Sequence, residues 1–279
     1  MAPVVAVIAP GAMGSAVAAR LVQHGVEVRT SLAGRSPASA ERARQAGMRA
    51  VDDDAAIAAC DIILSIIPPG EAVTLARRFA PALAAAARKP VYVDCNAVNP
   101  ATMARIADVL APTGCALVDG GIIGPPPQPD RKATRIYLSG PEAHRAAALA
   151  KYGLDMPVLD GPVGKASALK MSYAGVTKGF TALGAAMMLA AANGGTTEEL
   201  KRELATSQPQ LLAWLTRGVP GMYSKAYRWV AEMEEIAGFV GEPGAALYEA
   251  AARFYDSIAE DYAGPRAKTA RLSEFCSGG

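Results

Sequence analysis

The stretch that most constrains the fold is residues 4–30. Val4-Val5-Ala6-Val7-Ile8 is a short, mainly β-branched apolar run, the pattern of a strand buried on both faces of a parallel sheet. It leads into Ala9-Pro10-Gly11-Ala12-Met13-Gly14, then into the helix-forming run Ser15 to Val22, which Gly25 ends, and Val26 to Thr30 reads as a second strand. Strand, glycine turn, helix and strand within roughly thirty residues make a βαβ unit. Strands joined that way lie parallel, so a chain that starts like this builds a sheet with helices packed on its faces.

The turn is close to the dinucleotide-binding pattern G-x-G-x-x-G, with Ala9 in place of the first glycine. The six letters alone fit equally a βα turn that simply needs small residues. The setting favours a nucleotide. Gly11 would let the backbone approach a pyrophosphate, Gly14 would let the helix pack closely on the strand, and the helix start at Ala12 and Met13 would offer free N–H groups. Alanine at position 9 is acceptable with a negative φ, and Pro10 after it favours an extended conformation. Pro10, Gly11, Ala12, Met13 and Gly14 are therefore expected to hold a cofactor. An NAD site usually carries an acid at the end of the second strand. Here the chain reads Val28-Arg29-Thr30-Ser31, then Leu32-Ala33-Gly34-Arg35-Ser36, with no acid. Ser31, Arg35 and Ser36 suit a ribose 2′-phosphate, and NADP(H) is the expected cofactor. The plainer alternative for Arg35 is a solvated loop residue.

Alternation continues to about residue 163. Strands are expected at Asp61–Ile67, Val91–Asp94, Cys115–Asp119 and Arg135–Leu138. Helices are expected at Ser39–Gln45, Asp54–Ala59, Glu71–Ala87, Pro100–Leu110 and from Glu142. From Ala166 to Asn193 there is a long proline-free stretch. Helices then follow at about Thr197–Ala205, Pro209–Arg217, Ser224–Phe239 and Pro243–Asp261, with a mobile tail expected after Gly264. The fold class is an α/β Rossmann domain with a doubly wound, mainly parallel sheet, followed by an all-α C-terminal domain with a long interdomain helix. The expected boundaries are 1–163 and 164–279.

Bulk properties narrow the partners. The formal charge is +2 with no basic block, so nucleic acid is not expected. Four widely spaced cysteines and no C-x-x-C suggest a reduced, cytoplasmic protein. Two distant histidines, His24 and His144, make a histidine metal site or a Ser-His-Asp triad a poor expectation. The N-terminus lacks the basic region of a signal peptide, and the apolar stretch Phe180–Ala192 is short for a membrane span, so no membrane is expected.

Several segments resemble the β-hydroxyacid dehydrogenase superfamily, which includes 3-hydroxyisobutyrate dehydrogenase, 6-phosphogluconate dehydrogenase and the imine reductases. They are Ala9–Gly14; Asp61-Ile62-Ile63-Leu64-Ser65-Ile66-Ile67-Pro68; Asp94-Cys95-Asn96-Ala97-Val98-Asn99-Pro100; Asp119-Gly120-Gly121-Ile122-Ile123-Gly124-Pro125; and Gly164 through Lys170. The resemblance spans nearly the whole chain and is strongest with a little-characterised branch. It implies that Ile66, Ile67, Pro68 and Asn96 lie by the nicotinamide, that Gly121, Ile122, Ile123 and Gly124 form a substrate segment, and that Lys170 is the catalytic lysine. It also implies a small-molecule substrate and a homodimer built through the helical domain. The chain departs from the family in ways that bear on substrate. Ile123 stands for the motif serine, Pro125 for its final glycine, and Ala174 for the asparagine four residues past the lysine. A carboxylate held by those groups would lose partners, which suggests a larger or less polar substrate.

Helical spacing places Lys170, Tyr173, Ala174, Thr177 and Thr181 on one stripe of an apolar helix, which suggests a wet cleft. Burial would disfavour the charged form of Lys170 and suit it to acid–base work; the alternative is a lysine reaching along the helix to water. Lys178 is its rival, about 80 degrees round the helix at ~100 degrees per residue. Tyr173 and Thr177 are candidate replacement hydrogen-bonding groups, Tyr173 being equally suited to core packing. Arg131, Lys132 and Arg135 read as solvated charge, and Tyr223, Tyr227 and Trp229 as core or dimer contacts. The expected activity is NADP-dependent interconversion of a hydroxy-acid-like alcohol and a carbonyl, with Lys170 as acid/base. An imine reductase and a non-catalytic NADP-binding protein are the alternatives.

Overall fold

The computed structural model describes residues 2–128 and 134–277; Arg131 and Lys132 lie outside them. The chain divides into two compact units, Met1–Met171 and Ser172–Gly279.

The first unit is a seven-stranded sheet. Its strands are β1 (Val4–Ile8), β2 (Glu27–Ser31), β3 (Arg49–Val51), β4 (Ile62–Ser65), β5 (Val91–Asp94), β6 (Ala116–Ile123) and β7 (Arg135–Ser139), in the order β3-β2-β1-β4-β5-β6-β7. Six strands are parallel, and β7 returns antiparallel to β6. The interleaved helices are α1 (Ala12–Gln23), α2 (Pro37–Gln45), α3 (Asp54–Ala58), α4 (Ala72–Ala85), α5 (Pro100–Leu110) and α6 (Ala143–Ala147). Alternate strand residues feed two cores: Val5, Val7, Leu64 and Val93 enter one, and Ala6, Ile8, Ile63 and Tyr92 the other. Helices thus cover both faces, and the order reverses between β1 and β4, where a parallel sheet of this kind opens a crevice at its carboxyl ends.

Among the strands, β3 and β6 depart most from expectation, and β4 is shorter than the expected Asp61–Ile67. Strand β3 was not legible in the sequence; it has three residues, of which Arg49 and Ala50 are exposed. Strand β6 runs to Ile123 rather than stopping at Asp119, because β7 pairs with it through Ile123↔Arg135. Gly121, Ile122 and Ile123 are therefore strand residues, not a loop.

Helix α7 (Lys165–Asn193) starts in the first unit and continues into the second, which adds α8 (Thr197–Ser207), α9 (Pro209–Gly218), α10 (Ala226–Val240), α11 (Ala245–Ala263) and α12 (Ala267–Ser277). At 29 residues α7 is long and apolar enough to cross a bilayer by length and composition, which the shorter stretch Phe180–Ala192 did not reveal. Within the helical unit Gly184 makes room for Leu215, Tyr255 packs edge-on against Trp229 at 5.1 Å, and the Tyr255 hydroxyl donates to the Lys178 carbonyl at 2.6 Å. The expected mobile tail is helical instead. The Asp261 carboxylate accepts from the Lys268 and Thr269 amides at 2.9 and 2.8 Å, and so caps α12, whose Leu272 and Phe275 are buried.

Candidate functional site

The glycine turn is shaped for a ligand that approaches its backbone. Gly14 must be glycine for packing: a Cβ there would lie 2.1 Å from the Ala9 carbonyl oxygen. Gly11 is different, since a Cβ there would meet nothing within 4 Å. Ala9 has no positive φ and so tolerates its side chain. Helices α2, α3 and α5 are capped by Ser36, Asp53 and Asn99, whereas Gly11 gives α1 no side-chain cap and its first turn contains no acid. The first-turn amides at Ala12 and Met13, with the positive end of the helix dipole, therefore suit a phosphate. These residues fit a dinucleotide. Pro10 contributes a carbonyl that accepts from Arg42 Nε at 3.0 Å.

At the end of β2, Ser31 is buried and its Oγ accepts from Arg78 Nη2 at 3.4 Å. Arg78 is itself bidentate to Asp54 at 2.7 and 3.0 Å. Ser36 Oγ accepts from the Ser39 amide at 3.3 Å and caps α2. Arg35 is half-buried, and among the described residues no carboxylate pairs with it.

The loops after β4 and β5 are locked together. Asn96 is buried; its Oδ1 accepts from the Ile67 amide at 2.7 Å, and its Nδ2 donates to Ser65 Oγ and to Asp94 Oδ2, each at 2.9 Å. It holds Ile66, Ile67 and Pro68 beside the glycine turn, to which Ile66 is bonded through the Ala9 amide at 3.3 Å. The Asn96 side chain thus sets the shape of the crevice wall from inside. Asp94 is fully buried, and burial pushes its carboxyl up to about 7. Hydrogen bonds from Asn96 oppose that shift and the neighbouring Asp119 charge adds to it.

Strand β6 seats the lysine helix. Asp119 is buried, and its Oδ2 accepts from the Gly164 and Ser167 amides, each at 2.9 Å, and from Ser139 Oγ at 3.0 Å. Its Oδ1 accepts from Ser167 Oγ at 2.6 Å, and Ser139 Oγ accepts from the Ala166 amide at 3.0 Å. One carboxylate and one hydroxyl therefore satisfy three amides at the start of α7. Two residues along, a Cβ on Gly121 would lie 2.7 Å from the Ala166 carbonyl oxygen and 3.3 Å from Lys170 Cβ. The glycine lets α7 approach, and half-buried Lys170 is rooted against the strand. Ile122 is buried, Ile123 half-buried and Gly124 exposed, with φ 120°.

Farther along α7 the sequence stripe divides. Ala174 and Thr181 are buried, Tyr173 is exposed, and Thr177 Oγ1 donates to the Tyr173 carbonyl at 2.9 Å. The rival Lys178 is ion-paired with Glu232 and lies 5.0 Å from the Trp229 ring centroid. Arg135 is on the edge strand and pairs with Asp155 at 3.3 Å; Tyr227 is exposed, whereas Trp229 packs within the helical unit. Sequence reasoning missed Arg42, Arg78 and Ser139. For Arg42 a signal was present: it follows Ser36 and Ser39 at helical spacing of three.

An open-ended first helix at the switch point of a Rossmann sheet whose strand β6 seats a lysine-bearing helix marks an NAD(P)-dependent oxidoreductase of the β-hydroxyacid dehydrogenase type. Residues 4–152 match the NAD binding domain of 6-phosphogluconate dehydrogenase, and the chain belongs to that family. Residues 191–258 match a domain of unknown function, DUF1932. The chain is 28% identical to a conserved protein of unknown function, MTH1747, described as structurally similar to 3-hydroxyacid dehydrogenases; the TM-score is 0.69 over 96% of this chain and 98% of that one. A 3-hydroxyisobutyrate dehydrogenase from Mycobacterium tuberculosis, solved with L-serine, is 19% identical with a TM-score of 0.66 over 99% of each chain. An imine reductase from Myxococcus stipitatus shares the fold at 19% identity and TM-score 0.56 in its complex with NADP+, over 98% of this chain and 99% of that one. Its V8 variant, in complex with NAD+, is 20% identical with a TM-score of 0.61 over 99% of each chain.

Proposed function

We propose that this chain is an NADP-dependent oxidoreductase that interconverts a hydroxy-acid-like alcohol and a carbonyl, with Lys170 as general acid and base. The bound nicotinamide supplies or accepts the hydride. Lys170 gives a proton to the carbonyl oxygen in reduction and takes it from the alcohol in oxidation. The observation that carries this reading is the seat of Lys170 against Gly121, fixed by the Asp119 cap at the head of the same helix. Backbone at Gly121 to Gly124 borders the substrate, and Tyr173 and Thr177 follow Lys170 on the helix as its polar neighbours. The NADP preference rests on the acid-free end of β2 and on the Arg35 guanidinium there, with Ser31 and Ser36 on either side. The four free cysteines support a cytoplasmic setting, and the chain's balanced charge supports a small-molecule substrate rather than nucleic acid.

The test is a fluorescence titration with NADPH and NADH, repeated on Arg35→Ala, followed by a panel of hydroxy acids, keto acids and imines on the wild type and Lys170→Ala. Tighter NADPH binding that is selectively weakened in Arg35→Ala, with keto acid turnover lost in Lys170→Ala, is the expected result. Turnover confined to imines would favour the second reading, an imine reductase. Ile123 and Ala174 support that reading, because neither side chain can hold a carboxylate.

We also infer a homodimer through α7. Leu169, Tyr173, Val176, Phe180, Leu183 and Met187 recur at spacings of four and three and are 36% to 64% exposed. Phe180, Leu183 and Met187 also border a half-open apolar pocket of about 240 Å³ lined by Leu200, Leu204, Leu211 and Leu215. Such a seam at helical period matches a second copy of itself. Leu183→Glu is expected to shift the sedimenting species from dimer to monomer; an unchanged dimer would place the interface elsewhere.

A further inference from the structure

The guanidinium of Arg42 joins two segments that the sequence keeps thirty residues apart. Its Nε donates to the Pro10 carbonyl in the glycine turn at 3.0 Å, and its Nη2 donates to Ser39 Oγ on α2 at 2.9 Å. Ser39 Oγ in turn lies 3.2 Å from Ser36 Oγ, the cap of α2. Arg42 is half-buried, and among the described residues no carboxylate pairs with it; its neighbour Glu41 bonds Arg44 and Gln45 instead. A guanidinium has five N–H donors in a rigid fork. With Nε and Nη2 engaged, Nη1 makes no hydrogen bond among the described residues and lies on the side of the fork away from Pro10.

Two cations, Arg35 and Arg42, thus lie in and just after the serine-rich segment from Ser31 to Ser39, and among the described residues no acid is paired with either. Arg35 lies in the turn itself, as a sequence reading would expect. Arg42 adds a hydrogen-bonded link, through one rigid guanidinium, from that turn to the glycine turn. We propose that Arg42 is a specificity-determining residue that couples the two phosphate-holding segments: it recognises a nucleotide 2′-phosphate with Nη1 while Nε holds the Pro10 carbonyl in place. This rests on the NADP reading above. It goes beyond that reading in predicting that the 2′-phosphate and the glycine turn are energetically linked through one side chain. A lysine has three N–H donors on one nitrogen but lacks the planar fork whose separate nitrogens can reach Pro10, Ser39 and a phosphate together.

The experiment measures dissociation constants for NADPH, NADH, adenosine 2′,5′-bisphosphate and ADP on the wild type, Arg35→Ala, Arg42→Lys, Arg42→Ala and the double variant. Thermal unfolding confirms that each variant is folded. Arg42→Ala is expected to weaken NADPH and the bisphosphate by about tenfold to a hundredfold, the range for a lost charge-assisted bond, while NADH and ADP, which lose only the Pro10 tether, weaken by about threefold. Arg42→Lys is expected to keep some preference for the 2′-phosphate and to fall between Arg42→Ala and the wild type. If Arg42→Ala weakens all four nucleotides equally, or weakens none, the proposal is overturned. If the wild type shows no preference for NADPH, the NADP reading fails first. A wild-type preference that survives in both Arg42 variants but is lost in Arg35→Ala leaves that reading standing and removes Arg42 from it.

Discussion

The buried carboxyl of Asp94 gives the fold a pH dependence with a definite sign. Its ordinary value is 3.8 and burial raises it to about 7. Between those values the folded protein holds a proton that the unfolded chain has released. Stability from this group is therefore fully present below about pH 4, falls as pH rises through about 7, and is flat above. A shift of about three units corresponds to on the order of 4 kcal/mol. Asp94→Asn has no proton to release and removes that slope. It also has a fixed cost. Asp94 accepts from the Asn96 amide at 3.0 Å with one oxygen and from Asn96 Nδ2 at 2.9 Å with the other, and an amide supplies only one oxygen. One buried N–H then lacks an acceptor, which costs about 1–3 kcal/mol at every pH. The two effects together make the curves cross. The variant is less stable than wild type at about pH 4 and as stable or more so at about pH 8. Urea unfolding followed by circular dichroism across that range reads the difference directly. Parallel curves for the two proteins would refute the reasoning, because they would mean that Asp94 is ionised throughout in the folded state.

Two further contrasts follow from the same geometry. Gly11→Ala places a methyl in open space and should leave the melting temperature unchanged while weakening NADPH binding; Gly14→Ala drives a methyl into the Ala9 carbonyl and should lower both, by roughly 1–3 kcal/mol or more in stability. Equal melting temperatures for the two variants would show that α1 is not packed on β1 as described. Asp119→Ala leaves the amides of Gly164 and Ser167 without their acceptor and should cost at least about 3 kcal/mol in urea unfolding, against about 1–2 for Ser139→Ala, which releases the Ala166 amide and one of the several hydrogen bonds to Asp119. Similar losses for both would mean that water replaces the carboxylate.

The βαβ start, the mainly parallel sheet and the helical second half were legible because they depend on local pattern: β-branched runs, glycine stops and proline at helix starts. Val91–Asp94 and Pro100–Leu110 lie where that pattern puts them. What stayed hidden depends on partners distant in sequence. Strand β3 is too short and too exposed to carry an apolar signal. The extension of β6 exists because β7 pairs with it, and no residue from Gly120 to Ile123 announces that partner. Helix α12 looked like a tail because its cap, Asp261, lies at the end of the preceding helix rather than beside Ala267.

The site divides along the same line. Residues that act through their backbone were readable from type alone: Gly14 must yield to the Ala9 carbonyl, and Gly121 to α7. Residues that act through side chains were only half readable, because type does not say where the side chain is already engaged. Asn96 was expected at the cofactor, yet both ends of its amide are held by Ile67, Ser65 and Asp94. Asp119 opened a motif whose interest seemed to lie in the residues after it, yet it is the carboxylate that fixes the helix bearing Lys170. A polar residue in such a motif has two possible uses, to touch a ligand or to hold the backbone that does. The hydrogen-bond count separates them: a buried side chain with every donor and acceptor satisfied by protein positions the site, and one with capacity left, like the Arg42 fork, is free to bind.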